Sequence, residues 1–308
     1  MSKNILIIGG AGFAGAGLTS RLLDAGHRVT VLDMAAKPYT PLADTGVAYL
    51  WKSAQDLHPR DVEGRDAVLY FAAQADAPMG FTSPRWTVAN NIGCLVSVLE
   101  AVKDAGCGTF VLAGSGNAVG RPLYLPIDEA HPLTPHNPYA FTKAAQEMAC
   151  WTYHRAYGVP AVVMSNGMVV GPGMRREIVI FKWLYRALRG EPVYLEGGEQ
   201  TRDITYVDDV LDAWALCVEA EPSRTAGEKF QVSYGRELSM LEILEICREA
   251  SGVEWTVERR PYRPGEEGQR ERFDTSKARK VLGYEPQVPP AEAIRRTWAW
   301  IRDTFPPR

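Results

Sequence analysis

Tyr139 and Lys143 stand four residues apart in the run NPYAFTK, a spacing that puts both side chains on one face of a helix. Asn137 is a natural cap for that helix, and Pro138 suits its first position. A phenol with a pKa near ~10 is a poor base at neutral pH, but a neighbouring ammonium stabilises the phenolate and lowers that value. Upstream, Gly114-Ser115-Gly116 places a hydroxyl just after the apolar run 109–113. There it can hydrogen-bond a substrate oxygen whose proton Tyr139 exchanges. Without the serine, the tyrosine and lysine spacing would be an ordinary coincidence.

A second run able to do chemistry is GGAGFAG, which follows directly on the apolar stretch 4–8. Gly9, Gly12 and Gly15 precede an amphipathic segment through Leu18, Leu22 and Leu23. Between a strand and a helix, such glycines permit a tight turn, let the backbone approach a pyrophosphate, and aim the helix N-terminus at the anion. The next apolar run ends at Asp33, close to the ~20-residue spacing of an acid that accepts from adenosine ribose hydroxyls. A carboxylate there repels a 2′-phosphate, and Met34-Ala35-Ala36 supplies no arginine to receive one. The pattern predicts NAD rather than NADP, and its nicotinamide cation would further favour the Tyr139 phenolate.

These residues need a scaffold that brings loop ends together. Short aliphatic runs at 4–8, 28–32, 47–51, 67–71, 109–113 and 161–165 alternate with helix-length segments or loops. This predicts an α/β fold: a Rossmann-type, doubly wound parallel sheet whose ligands bind beyond the carboxyl ends of the strands. After about residue 170 the rhythm changes. A helix near 177–189, short strands near 193–195 and 229–233, and helices near 240–250 and 291–304 predict a smaller C-terminal substrate-binding lobe. Ser239 and Glu242 form a capping box at one of those helices. The expected division is 1–170 for the NAD-binding domain, with parts of 203–235 returning to it, and 171–202 with 236–308 for the lobe.

The 308 residues provide ample length for such an arrangement. The 34 basic and 37 acidic side chains leave a net charge of −3, so nothing advertises nucleic acid as a partner. Five widely spaced cysteines without a Cys-x-x-Cys pair point to neither disulfides nor a metal site, and fit a reducing cytosol. The expected location is cytoplasmic. The N-terminal apolar run is too short for a signal peptide, and no stretch approaches the ~20 apolar residues of a membrane span.

With these motifs in place, the chain resembles the extended short-chain dehydrogenase/reductase family, specifically its NAD-dependent sugar-nucleotide epimerase/dehydratase branch. Besides GGAGFAG and YAFTK, the segments VLYFAAQA, NNIGC, GPG at 171–173, TRDITYVDDV and RPGEEGQRERFDTSKARKVLGYEP are similar to family signatures. The resemblance implies Tyr139 as the proton-exchanging base, Lys143 on the nicotinamide ribose and Ser115 as hydroxyl partner. It implies Phe13 and Ala14 along the diphosphate of NAD, and Phe71, Ala72, Ala73 and Asn90 as further cofactor contacts. It also implies Arg202 and Arg263 on a nucleotide-sugar diphosphate, and a homodimer paired through the helices near 86–103 and 139–157.

The departures sharpen the expectation. Members that eliminate water carry an acid pair after the catalytic hydroxyl, whereas Gly116 and Asn117 follow Ser115 here, and neither is a general acid. Val119 and Val170 stand where many members have tyrosine, Ser53 where an aspartate meets the adenine, and residues 165–168 replace an Arg-x-x-Asn run. Arg175 and Arg176, at the predicted start of a helix where the macrodipole disfavours cations, are candidates for a phosphate or carboxylate. The expected activity is epimerisation of a nucleotide sugar at C4 through a keto intermediate. The alternatives are a dehydrogenase or 4-keto reductase, a dehydratase, and a non-catalytic NAD sensor. Arg175, Arg176, Arg202 and Arg263 together predict a locally basic pocket inside a chain of net charge −3.

Overall fold

The computed structural model describes residues 1–35, 42 and 45–306. Its strands there are β1 (Asn4–Ile8), β2 (Arg28–Asp33), β3 (Ala48–Trp51), β4 (Ala67–Tyr70), β5 (Thr109–Ala113), β6 (Ala161–Asn166), β7 (Met168–Val170), β8 (Val193–Glu196), β9 (Thr201–Tyr206), β10 (Lys229–Val232), β11 (Glu237–Ser239) and β12 (Val257–Arg260). Seven of them form one parallel sheet in the order β10-β6-β5-β4-β1-β2-β3. The winding reverses between β1 and β4, and ligands bind outside the strand ends at such a switch point. Gly9 leaves β1 there, and Phe71 leaves β4 beside it.

Successive side chains of a strand point to opposite faces. Ile5, Ile7, Val31, Leu69 and Val111 therefore enter one core, while Leu6, Ile8, Leu32, Val68 and Leu112 enter the other. The near-continuous aliphatic runs of the central strands are what a sheet covered on both faces requires. The second core is closed by the helix Cys94–Ala105 and by Cys150 of the helix Pro138–Tyr157.

The first core does not stop at the sheet. It runs without interruption through Ile180 and Leu184 of the helix Val179–Leu188, Trp214 of Val207–Glu219, Ile243 of Met240–Ser251 and Ile294 of Pro290–Thr304. The C-terminal elements are thus welded to one sheet face by shared apolar burial, and the strand at 229–232 adds itself to the sheet edge beside β6. Two small sheets, β11-β9-β7 and β12-β8, shape the lobe. The capping box at Ser239 forms, with Glu242 N–H donating to the Ser239 hydroxyl and the Ser239 N–H to the Glu242 carboxylate. Among the described residues, no helix is long and apolar enough to cross a membrane.

Candidate active site

A cavity of about 450 Å³ opens where the strand ends face the lobe. Gly9, Gly12, Phe13, Ala14 and Gly15 line one end of it, with Phe71 and Ala73 beside them. The glycines do different work. Gly9 has φ of +81°, and a Cβ on it would lie 2.5 Å from the Ala72 nitrogen. A Cβ on Gly15 would lie 2.6 Å from the Gly9 carbonyl oxygen. Gly12 has ordinary backbone angles and caps the helix Phe13–Asp24 with no side chain of its own, which leaves the helix N-terminus open to an anion. Ala72 therefore acts through its backbone as the wall against which Gly9 must be small.

Asp33 ends β2 with Oδ2 accepting from Ala11 N–H at 2.9 Å and Oδ1 from Ala35 N–H at 3.0 Å. Its carboxylate is held next to the glycine turn, with further lone pairs for hydroxyl donors. Ala36, part of the argument against a 2′-phosphate, lies outside the described residues. Ser53 spends its hydroxyl on Gln55 N–H at the start of a short 3₁₀ turn, Ala54–Asp56, and does not line the cavity. Asn90 also stands back from the cavity and donates to Asn91 Oδ1 at 3.0 Å. Asn91 is the residue that the sequence argument overlooked. Fully buried, it exchanges hydrogen bonds with both backbone groups of Gln74 and donates to Thr142, tying the loop after β4 to the helix Pro138–Tyr157. It sits on a single turn of π-helix, Ala89–Gly93, a local irregularity frequent at functional sites.

Tyr139, Lys143 and Ser115 line the middle of the cavity. Asn137 Oδ1 accepts from Ala140 N–H at 2.8 Å, so the cap starts the helix where Pro138 fits. Lys143 Nζ donates to the Ala113 carbonyl, the last of β5, at 2.9 Å. Two residues on, Ser115 accepts from Asn117 N–H at 3.3 Å, leaving its own proton to donate into the cavity. Burial pushes the Tyr139 phenol above its ordinary pKa, while the Arg175 guanidinium and the Ser115 hydroxyl pull it back. Burial brings the Lys143 ammonium down to about 8, against the opposing charge of Glu147. Tyr139, Lys143 and Glu147 form one stripe at i, i+4 and i+8. The helical period could have flagged the glutamate, but it was not among the expected site residues.

The far end of the cavity differs from the basic pocket expected. Arg202 lies 3.2 Å from Glu266 and 3.8 Å from Glu271, and Arg263 pairs with Glu196. All three glutamates line the cavity, as do Asp76 and Glu177. Carboxylates brought in from β8 and from the segment after Arg263 cancel the arginines, a pairing across the lobe that linear spacing does not display. Arg176 is exposed and lies outside the cavity, its guanidinium 4.6 Å from the centre of the Phe305 ring, because stacking on that face turns it away from the strand ends. Neither arginine begins the helix itself, which starts at Val179. The side chains of Val119 and Val170 are buried and contribute packing.

Phe273 is another residue that no spacing argument singled out. A Cβ built on Gly116 would lie 2.3 Å from Phe273 Cζ. The ring packs with Val119 and Ile127 in a small separate cluster against the turn that follows Ser115.

The profile of the NAD dependent epimerase/dehydratase family matches residues 5–233. The chain is 31% identical to UDP-glucose 4-epimerase of Mycolicibacterium smegmatis, over 97% of this chain and 98% of that protein. It is also 31% identical to dTDP-glucose 4,6-dehydratase of Streptomyces niveus, over 97% and 93%. The crystal structure of a dTDP-glucose 4,6-dehydratase from Streptomyces venezuelae with NAD bound superposes with a TM-score of 0.90 at 28% identity, covering 97% of each chain.

Proposed function

Because this chain belongs to the NAD-dependent epimerase/dehydratase family, with NAD as its cofactor, we propose that it epimerises a nucleotide sugar at C4. The observation that carries this choice is the Phe273 ring over Gly116. Water elimination calls for a proton donor next to the catalytic hydroxyl, and the ring fills the space that an acid at position 116 would need. The glycine cradle fits the cofactor, since a Cβ at Gly9 or Gly15 would meet backbone atoms and the helix N-terminus beyond them is open. Gly9, Gly12, Phe13, Ala14 and Gly15 would hold its diphosphate and Asp33 its adenosine ribose, with Phe71 and Ala73 lining the cleft between. Bound NAD supplies the reversible hydride acceptor, so that net redox is zero.

Tyr139, as phenolate, takes the proton from the C4 hydroxyl. Ser115 donates to the same oxygen and holds it in line. Lys143, anchored on the Ala113 carbonyl, brings an ammonium to the cavity that the phenol also lines and would meet the nicotinamide ribose. After the keto sugar has presented its other face, Tyr139 or Ser115 returns the proton. Arg202 and Arg263 serve the diphosphate of the substrate, and must exchange their glutamate partners for phosphate oxygens to do so.

The test is incubation of the NAD-loaded protein with UDP-, dTDP-, GDP- and CDP-sugars, followed by chromatography and mass spectrometry. Unchanged mass at a new retention time is the expected outcome. Loss of water would establish a dehydratase instead, and a change of two hydrogens a dehydrogenase or reductase. Binding of NAD with no sugar nucleotide turned over would indicate a sensor.

A homodimer is part of the same reading. Phe141 and Met148, seven residues apart on the helix Pro138–Tyr157, are 49% and 62% exposed, and Trp86 and Val96 are exposed on the neighbouring helical segment. An apolar face of this kind calls for a partner, and sedimentation of the purified protein reads it directly. The cytosol as location belongs to the same reading and rests on the wide spacing of the five cysteines.

A further inference from the structure

Residues 269–273 form a ribbon between β9 and Ile127, with its backbone held on both sides. The Gln269 carbonyl accepts from Thr201 N–H at 3.0 Å, and the Arg272 carbonyl from Ile127 N–H at 2.7 Å. Side chains along the ribbon alternate as they do along a strand. Gln269, Glu271 and Phe273 are buried. Gln269 Nε2 donates to the Gly120 carbonyl, Glu271 lies 3.8 Å from Arg202, and the ring of Phe273 closes on Gly116. Arg270 and Arg272, between them, are exposed and line a different cavity. They do not serve the one that Tyr139 lines.

That second cavity, of about 410 Å³, lies between the ribbon, the segment 121–125 and Glu237 of β11. The guanidinia of Arg121, Arg270 and Arg272 line it with a single carboxylate. Arg270 holds that carboxylate through Nε at 2.7 Å and Nη2 at 2.8 Å, and its hydrogen bonds keep Glu237 below the usual carboxyl range, with the charge of Arg272 adding to the effect. Arg121 donates from Nη2 to the Glu267 carbonyl at 3.1 Å and lies across Gly268, where a Cβ would collide with the guanidinium. Its head is therefore fixed, with donors to spare. Arg272 has no carboxylate within ion-pair distance among the described residues, and its side chain makes no hydrogen bond there. Tyr124, at the rim, spends its hydroxyl on Asp128 and packs its ring 4.5 Å from that of His131. What the cavity offers a ligand is therefore positive charge, in a space of small-molecule size. Planar forks of donors match phosphate oxygens in bidentate geometry, and two separate forks, Arg121 and Arg272, suit two phosphoryl groups.

We propose that this groove is a second anion site, separate from the cavity of Tyr139, and that it takes a small compound carrying two or more phosphoryl groups. The inference stands on the outer cavity alone and does not depend on the nucleotide-sugar reading above.

The experiment titrates the NAD-loaded protein with inorganic pyrophosphate at low ionic strength and reads binding by calorimetry. Arg202 and Arg263 can hold the same probe, so variants separate the two cavities. Arg202→Gln/Arg263→Gln should keep a pyrophosphate site. Arg272→Gln should weaken that site roughly ten- to a hundredfold, the worth of a charge-assisted contact, and Arg272→Lys should recover part of the loss. The Arg272 side chain is exposed and without a partner among the described residues, so Arg272→Gln should unfold in urea with the native midpoint. Inorganic phosphate, which spans fewer guanidinia, should bind at least tenfold more weakly than pyrophosphate. Absence of any pyrophosphate binding overturns the inference, as does an affinity that Arg272→Gln leaves unchanged or that Arg202→Gln/Arg263→Gln abolishes. Phosphate and pyrophosphate binding equally well would mark unspecific attraction to charge and overturn it too. Turnover of a sugar nucleotide is a separate readout, so the reading of the Tyr139 cavity stands or falls independently.

Discussion

Lys229 Nζ lies 2.8 Å from Glu147 Oε2, and both side chains are buried behind the helix that carries Tyr139 and Lys143. The second oxygen of Glu147 has no hydrogen-bond partner, and burial pushes its carboxyl above the usual range, with Lys229 and Lys143 opposing. The strand that completes the sheet edge thus supplies the counter-charge for an acid two helical turns from the Tyr139 phenol. Glu147 in turn supports the charge on Lys143.

The first prediction follows from that pair. Lys229→Met strands a buried carboxylate and should cost about 3–5 kcal/mol in urea unfolding, whereas the double variant Glu147→Gln/Lys229→Met should recover most of the loss. The double variant also separates packing from catalysis. Glu147 raises the Lys143 pKa, which stands at about 8 in the native protein, so removing it lowers that value. The ammonium is then lost at lower pH, and the alkaline limb of kcat should move down the pH scale. A refolded double variant with an unmoved limb would give the pair a purely structural role.

Tyr139→Phe should fold, retain NAD and lose about two to four orders of magnitude in kcat, the usual contribution of a general base. Ser115→Ala is the finer probe. The hydroxyl favours the phenolate, so its loss raises the phenol's pKa, and the rising limb of the kcat–pH profile should shift to higher pH. A near-normal Tyr139→Phe enzyme would remove Tyr139 from the mechanism.

Gly9→Ala and Gly12→Ala should part company. At Gly9 the positive φ costs about 1–2 kcal/mol for any residue with a Cβ, and that atom would also press on the Ala72 nitrogen at 2.5 Å. Loss of both stability and bound NAD is expected. At Gly12 the nearest atom to an added Cβ is 3.4 Å away and the backbone angles are ordinary, so the fold should survive and only NAD affinity fall. Cofactor absorbance after gel filtration, beside a urea titration, checks both.

Restoring an acid to the turn after Ser115 should not by itself convert the enzyme. Gly116→Asp drives its Cβ into Phe273, and overpacking of that kind typically costs about 1–3 kcal/mol. Phe273→Ala combined with Gly116→Asp relieves the clash and should refold better than Gly116→Asp alone. The coupling between the two sites, read by a double-mutant cycle, would vanish if the ring were not the obstacle.

The amino-acid sequence by itself determined the parallel sheet, the glycine turn and the stripe of Tyr139 and Lys143, because each depends on short periodicities. Alternation along 4–8 sorted Ile5 from Leu6, a spacing of four put Tyr139 and Lys143 on one helical face, and a glycine at position 9 met the demand of a positive φ. Only the tertiary structure decided the charge and shape of the cavity. Glu196 reaches Arg263 across 67 residues and Lys229 reaches Glu147 across 82, while the ring of Phe273 closes on a glycine far from it in the chain. Electrostatic cancellation and van der Waals exclusion act through space, over distances of a few ångströms that no linear spacing encodes. A pocket that counted as basic along the chain therefore folds into one in which, among the described residues, Arg202 and Arg263 are paired with glutamates and Arg175 is not.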